Sequence, residues 1–328
     1  MIIKKLSEIS SQPVFFEMEE FVQNSKVYLK LEGLNIAGSI KLKPAIWLIN
    51  QLEKKGKLIP GYSTVVCSSS GNLGIALSIV CKEKNYPLIC VSDLNISPIS
   101  KKYIQLFGGE LIIIDRPDKN GGYLKNRLDY IKELLLANEN YCFVDQYDNE
   151  DNVKVHYATT APEIAQAIPE IDFLFVGAGT TGTLMGCAKY FKEHSPKTKI
   201  IAVDAVGSVT FGMPPAKRII PGLGTSFPPK IADRSLIDEL LMVPEIETIN
   251  MCKELVQKRG LFLGGSSGSV LQGVKTYQSK IPEGSVVVAI SPDFGDRYMN
   301  TIYDNNWLES FGWMDNSKQL KKAFVEQQ

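Results

Sequence analysis

Neither sign of charge dominates this chain: 36 Lys and Arg balance 36 Asp and Glu across 328 residues. No net field exists to draw it to nucleic acid or to an anionic membrane. Long apolar runs are missing as well. No stretch approaches the roughly 18 uninterrupted apolar residues of a membrane span. The opening Met1-Ile-Ile-Lys-Lys-Leu-Ser-Glu has no sustained apolar core of the kind a secretory leader needs. A soluble, cytoplasmic protein is expected. Histidine is scarce, His156 and His194 alone, which argues against a histidine-rich metal centre. The six cysteines, Cys67, Cys81, Cys90, Cys142, Cys187 and Cys252, are scattered and include no Cys-x-x-Cys pair. Several sit in apolar runs such as Leu88-Ile89-Cys90, so buried reduced thiols are expected in place of a disulfide framework or zinc site. Internal repeats and low-complexity linkers are also absent.

What is present is core. The chain is 44% hydrophobic, and beyond about 250–300 residues a single core tends to split. Short Val- and Ile-rich runs recur at Thr64–Cys67, Leu88–Val91, Leu111–Ile114, Tyr141–Val144, Phe173–Val176, Ile200–Val203 and Val286–Ile290. Most are continuous, as strands buried on both faces should be. Between them lie helical patterns. Ala45, Leu48, Ile49 and Leu52 share one helix face, with Pro44 suited to the first turn and Gly56 to the stop. A second helix is predicted from Leu73 to Lys82, apolar nearly all round and so buried. A third is predicted over about 123–136, and a fourth from Val270 to Tyr277. Strand–helix alternation on both sides of residue 150 predicts an α/β fold of two doubly wound lobes.

Five segments carry candidate chemistry. In Asn35-Ile-Ala-Gly-Ser-Ile-Lys41-Leu-Lys43-Pro44, a lysine ahead of a helix is ordinarily a solvated surface residue. Here apolar Ile36, Ile40 and Leu42 surround it, and burial makes a lysine give up its proton. A neutral amine is what Schiff-base chemistry requires. Cys67-Ser68-Ser69-Ser70-Gly71-Asn72 follows a strand and opens a helix, where N–H groups and hydroxyls cradle an anion. Its bland reading is a capped βα loop, although three serines exceed what a cap needs. Leu263-Gly264-Gly265-Ser266-Ser267-Gly268-Ser269 reads by itself as a glycine-rich turn with a serine cap. In Ser291-Pro292-Asp293-Phe294-Gly295-Asp296-Arg297-Tyr298, Asp293 or Asp296 is expected to cap the following helix.

The fifth segment, Gly177-Ala-Gly179-Thr180-Thr181-Gly182-Thr183, fits two chemistries. As a bare G-x-G-x-x-G after a strand, with Asp204 about twenty residues on, it matches the dinucleotide-binding fingerprint of an NAD-dependent oxidoreductase. Its threonines place hydroxyls among the glycines, which suits a compact terminal phosphate better than a pyrophosphate held by bare backbone.

Taken in order, these segments resemble the fold-type II pyridoxal-phosphate family that contains cysteine synthase and cystathionine β-synthase, from about Leu6 to Leu308. The resemblance implies a pyridoxal 5'-phosphate cofactor held by Lys41 as a Schiff base. It implies that Ser69-Ser70-Gly71-Asn72 grips the substrate carboxylate, with Asn72 on the cofactor's ring oxygen. Gly179, Thr180, Thr181, Gly182 and Thr183 would hold the phosphate, Ser266 would face the pyridine nitrogen, and Gln146 would meet substrate. The stretch Asp145-Gln146-Tyr147…His156-Tyr157-Ala-Thr-Thr-Ala-Pro-Glu163-Ile164 is similar to the family too.

The activity implied is β-replacement on O-phosphoserine or O-acetylserine through an α-aminoacrylate. Asn72-Leu73-Gly74, Thr180-Thr181-Gly182, Asp118–Leu124, Val203–Val209 and Pro221–Gly224 resemble the branch that adds L-glutamate, a step toward diaminopropionate and siderophores. Sulfide as nucleophile, or cysteine as substrate, is the reading nearest to it. A mobile smaller lobe (45–148), a larger lobe (1–44 with 149–315), a polar tail (316–328) and a homodimer are also expected. Three places depart from the family. Leu42-Lys43 stands where Asp-Arg is usual, Cys67 where an acidic residue commonly precedes the loop, and Ser11-Gln12-Pro13 where Gly-Asn-Thr-Pro is usual. The cofactor readings separate by light: a lysine-bound pyridoxal gives the purified protein a visible absorption band, whereas a nicotinamide-binding protein lacks one.

Overall fold

The computed structural model describes residues 13–118 and 121–313; Ser11-Gln12, Lys119-Asn120 and the tail at 316–328 lie outside the described residues. In chain order, β1 (Phe15–Glu17) and β2 (Lys26–Leu31) are followed by α1 (Leu42–Lys54). Next come β3 (Thr64–Ser68), α2 (Asn72–Lys84), β4 (Leu88–Asp93), α3 (Pro98–Leu106), β5 (Glu110–Ile114), α4 (Leu124–Ala137) and β6 (Tyr141–Val144). Then follow α5 (Asp151–Ala158), α6 (Thr160–Ala167), β7 (Phe173–Gly177), α7 (Gly182–His194), β8 (Lys199–Ala205) and β9 (Glu239–Val243). The chain continues through α8 (Glu245–Arg259), α9 (Gly265–Tyr277), β10 (Val286–Ser291) and α10 (Asn305–Glu309).

The strands form two sheets. One has four strands in the order β5-β4-β3-β6, all parallel. The other has six in the order β1-β2-β10-β7-β8-β9, parallel apart from β1 at its edge. Helices cover both faces, so central strands such as β4 are buried along their whole length, which is why they read as unbroken apolar runs. Separate cores line the faces of the large sheet, around Phe175 and Val270 on one side and Leu184 and Ile290 on the other. A third lies under α1 and α2, around Leu48, Leu77 and Cys90.

All seven strands read from sequence are present, and α1, α2 and α4 fall where the periodicity put them. Pro44 lies in the first turn of α1, and Gly56, at φ 64°, follows its end. Two differences bear on the site. Helix α9 starts at Gly265, not at Val270, so Ser266 and Ser267 belong to its first turn. Strands β1, β2 and β9 are not among those read from the sequence; in β2, Lys26–Leu31 contains two lysines, yet Lys30 is only 1% exposed.

Helices α5 and α7 pack closely enough that a Cβ on Gly186 would sit 2.5 Å from the Val153 carbonyl and 2.6 Å from the His156 Cβ. Gly186→Ala should therefore cost about 1–3 kcal/mol in urea unfolding despite alanine's better helix propensity.

Candidate functional site

In open α/β sheets, ligands gather outside the carboxyl ends of the strands. Four of the five candidate segments leave such ends, of β2, β3, β7 and β10, and Gln146 follows β6. The remaining segment, at the start of α9, is drawn in by a bridge between Leu263 and Phe294 and by the Gly264 N–H donating to the Asp293 carbonyl at 3.1 Å.

Lys41 closes the segment after β2, just before α1. A turn with Gly38 at φ 61° bends the chain, and the Asn35 amide ties it down by donating to the carbonyls of Glu32 and Ser39. The residue keeps some accessible surface, yet protein crowds its amine, and burial pulls its pKa down to about 8. No carboxylate pairs with it among the described residues. The nearby acids are engaged elsewhere. Glu32 binds Lys30 at 2.7 Å and Lys43 at 2.9 Å, and Glu163 binds the same two lysines at 2.6 and 2.7 Å. Burial would raise the Glu32 carboxyl, but Lys43 and Lys30 overcome it and hold it below its ordinary value.

The loop 69–71 uses much of its own polarity. Ser69 Oγ accepts from the N–H groups of Gly71 and Gly74, the capping role that its position allows. Ser70 Oγ donates to Asp93 at 2.7 Å and accepts from Arg127 at 2.8 Å. Arg127 and Asp93, both buried, thereby fix the loop from behind; neither stood out in the sequence, where Arg127 is one of several polar residues on α4. The N–H groups of Asn72 and Leu73 at the start of α2 find no acceptor among the described residues, as a helix start leaves them. Gln146 donates to the Ser68 carbonyl at 2.9 Å, and its own carbonyl accepts from Asn152 at 2.7 Å.

The loop before α7 is the most constrained of all. Thr181 has φ 68°, a left-handed conformation unusual for a β-branched residue, and its buried hydroxyl has no partner among the described residues. Such strain with an orphaned hydroxyl is what a ligand-binding loop stores. Gly179 has no room for a side chain, since a Cβ would lie 2.5 Å from the Gly222 carbonyl. Gly222 also faces Ser266, so one loop touches both the threonine segment and the start of α9. Thr180 lies 3.4 Å from the Asn152 amide. Thr183 meets His156, whose other ring nitrogen meets Thr160, and Thr160 lies beside Lys43. Burial, then the charges of Lys41, Lys43 and Lys30, push the His156 pKa well down, so the ring is neutral.

Two sequence expectations change. Asp293 does not cap the next turn; it accepts from Asn72 Nδ2 at 2.7 Å and from the Tyr298 hydroxyl at 2.8 Å. Asp204, the acid that gave the dinucleotide reading its spacing, is 1% exposed and accepts from its neighbour's N–H at 2.8 Å. Burial raises its pKa to about 6. A carboxylate closed off in this way is not placed to take ribose hydroxyls, so the dinucleotide reading fails.

A free, desolvated amine, a strained threonine loop with an unpartnered hydroxyl, and two helix starts on parallel sheets define a fold-type II pyridoxal-phosphate enzyme. The chain belongs to the family described as pyridoxal-phosphate dependent enzyme, which residues 13–293 match. Solved structures agree with this. O-ureido-L-serine synthase, as a Lys-to-Ala variant bound to O-ureido-L-serine, superposes with a TM-score of 0.86 at 27% identity, over 95% of this chain and 99% of that one. An O-acetylserine-dependent cystathionine β-synthase from Helicobacter pylori gives 0.85 at 30% identity, over 93% and 100%. A hydrogen sulfide-producing enzyme from Fusobacterium nucleatum gives 0.84 at 29%, over 90% and 100%.

The residues fit the cofactor: an amine with no ion pair among the described residues for its aldehyde, and the unpartnered Thr181 hydroxyl in the loop before α7 for its phosphate. With Lys41 at about 8, cofactor-free protein should capture added pyridoxal phosphate roughly ten times faster at pH 7 than at pH 6, levelling off above about 8. Stopped-flow absorbance reads this directly, and a rate still climbing steeply at pH 10 would contradict the lowered pKa.

Proposed function

We propose that this enzyme carries out β-replacement on an activated L-serine, O-phosphoserine or O-acetylserine, with L-glutamate as the incoming nucleophile. The product is then N-(2-amino-2-carboxyethyl)-L-glutamate, and the enzyme acts as an N-(2-amino-2-carboxyethyl)-L-glutamate synthase. The observation that carries the Schiff-base reading is the buried Lys41 amine, which has no carboxylate partner among the described residues. Two of the similar structures bear names built on O-substituted serines, and that likeness supports β-replacement and the same substrate class.

Bound pyridoxal phosphate supplies an electron sink for the substrate's α-carbon. The chain's own residues do the rest. Lys41 would hold the cofactor covalently, and its amine, once free, takes the α-proton on Nζ. The start of α2, with Ser69, Ser70 and Gly71, receives the substrate carboxylate, and Gln146 borders that pocket. Asn72 offers a hydrogen bond to the ring oxygen. Thr180, Thr181, Thr183 and the N–H groups around Gly179 and Gly182 hold the phosphate. Ser266 would offer the pyridine nitrogen a neutral partner, which suits loss of a β-substituent better than transamination. Phosphate or acetate departs with the Cβ–O electron pair, and the glutamate amine then bonds to Cβ. The proton released from that amine leaves by a basic group, and Lys41 returns a proton to Cα. Closure of the 45–148 lobe onto the rest of a homodimeric enzyme keeps water out.

The reading nearest to this one uses sulfide in place of glutamate, or cysteine as substrate with sulfide leaving, and the Fusobacterium nucleatum neighbour favours it. Purified enzyme given each activated serine with glutamate or with sulfide separates them by product mass. Glutamate adduct should dominate, and cysteine as sole product would overturn the choice of nucleophile. Lys41→Ala should lose the visible band and slow turnover by at least about a thousandfold. A folded variant that kept both would remove Lys41 from the mechanism.

A further inference from the structure

A side-chain amide has an acceptor end and a donor end that density alone rarely tells apart; its neighbours decide. Around Asn72 they leave no choice. Arg297 donates to Asn72 Oδ1, and Asn72 Nδ2 donates to Asp293 Oδ2 at 2.7 Å. Turning the amide over would set its oxygen against a carboxylate and its N–H groups against a guanidinium. One hydrogen of Nδ2 is used by Asp293, and the second has no acceptor among the described residues.

Asp293 is itself held on every side. Its residue bridges Ser39, and Ile40 donates to the neighbouring Pro292 carbonyl at 2.8 Å, so it abuts the segment that ends at Lys41. Its carbonyl accepts from the Gly264 N–H at 3.1 Å and from Ser267 Oγ at 3.3 Å, so it also anchors the turn that presents Ser266. Tyr298 shares the carboxylate oxygen that Asn72 uses. The other oxygen, Oδ1, is buried without a partner, and a Cβ on Gly264 would collide with it. The side chain is 1% exposed. Burial pushes its pKa up, while Asn72, Tyr298 and Arg297 pull it back. Burying a carboxylate this way is costly, and no capping bond repays the cost, because the following turn starts at Phe294 with no side-chain cap.

We propose that Asp293 is a positioning residue that acts through Asn72: it locks the amide so that the free N–H is aimed at the cofactor's ring oxygen. The inference rests on the reading of Asn72 as the ring-oxygen contact. Arg297 completes the lock, since it also donates to the Ala37 carbonyl and lies 5.8 Å over the Tyr103 ring, tying the lysine segment to α2 and α3.

The test uses the holoenzyme in five forms: wild type, Asn72→Ala, Asp293→Ala, Asp293→Asn, and the Asn72→Ala/Asp293→Ala double variant. Each is read by the wavelength and pH midpoint of its visible band, by cofactor affinity after reconstitution, and by thermal melting. Asp293→Ala should shift the band in the same direction as Asn72→Ala and weaken cofactor binding roughly tenfold. Asp293→Asn keeps an acceptor for Asn72 and should stay within about twofold of wild type. In the Asn72→Ala background, Asp293→Ala should add no further spectral shift, because the pair acts as one unit. Should Asp293→Ala fail to fold, Asp293→Ser, which lacks the reach to Asn72, carries the same expectation. A spectral shift that persists undiminished in the Asn72→Ala background, or a band unmoved by Asp293→Ala while Asn72→Ala moves it, overturns the proposal. An unmoved band in Asn72→Ala instead removes the ring-oxygen contact on which it rests.

Discussion

The candidate site is organised around a largely buried set of four charges, Lys30, Glu32, Lys43 and Glu163, on the segments that flank Lys41. Lys41 itself has no carboxylate partner among the described residues, and burial alone lowers its pKa to about 8. Glu32 and Glu163 are both consumed by Lys30 and Lys43, in a neutral set of two acids and two bases at 2.6–2.9 Å. Buried charges of this kind pay their desolvation only when fully matched, so the four stand or fall together. Lys43, two positions from Lys41, is one of the two counter-ions of that set. In the family's usual pattern an arginine stands there, and lysine keeps the charge while giving up the planar fork.

That charge set also reaches the far side of the site. Lys43 lies beside Thr160, which meets His156, which meets Thr183 in the first turn of α7. The lysine segment and the threonine loop are thus coupled through a neutral imidazole. The loop's strain at Thr181 is supported from two other directions, by Asn152 and by the close approach of Gly222 to Gly179. Preorganisation here comes from packing that permits one arrangement.

Much of this was legible before any coordinates. The Lys41, Ser-Gly-Asn, threonine and Gly264–Ser269 segments each concentrate unusual residues within ten positions, and each sits where the predicted strands and helices place a loop. Asp293 was legible only as a residue. An aspartate after a strand and before a turn has an ordinary explanation as a cap, and the partner that changes its meaning, Asn72, is 221 residues away. Arg127 was hidden for the same reason, as a polar residue on an amphipathic helix whose partner, Ser70, lies 57 positions earlier. Strand β2 was hidden by chemistry of another kind: Lys30 looks like solvent exposure, and only the acids beside it make its burial tolerable.

The amino-acid sequence by itself determined the layered α/β architecture and the cofactor class, and it singled out the candidate lysine. Hydrophobic period and loop composition act over short stretches of chain, and those features need nothing longer. Only the tertiary structure decided which charges are matched, which way Asn72 turns, and that Asp204 is closed off from any dinucleotide. Those outcomes depend on contacts between segments far apart in the chain, and no local pattern encodes where two loops will meet.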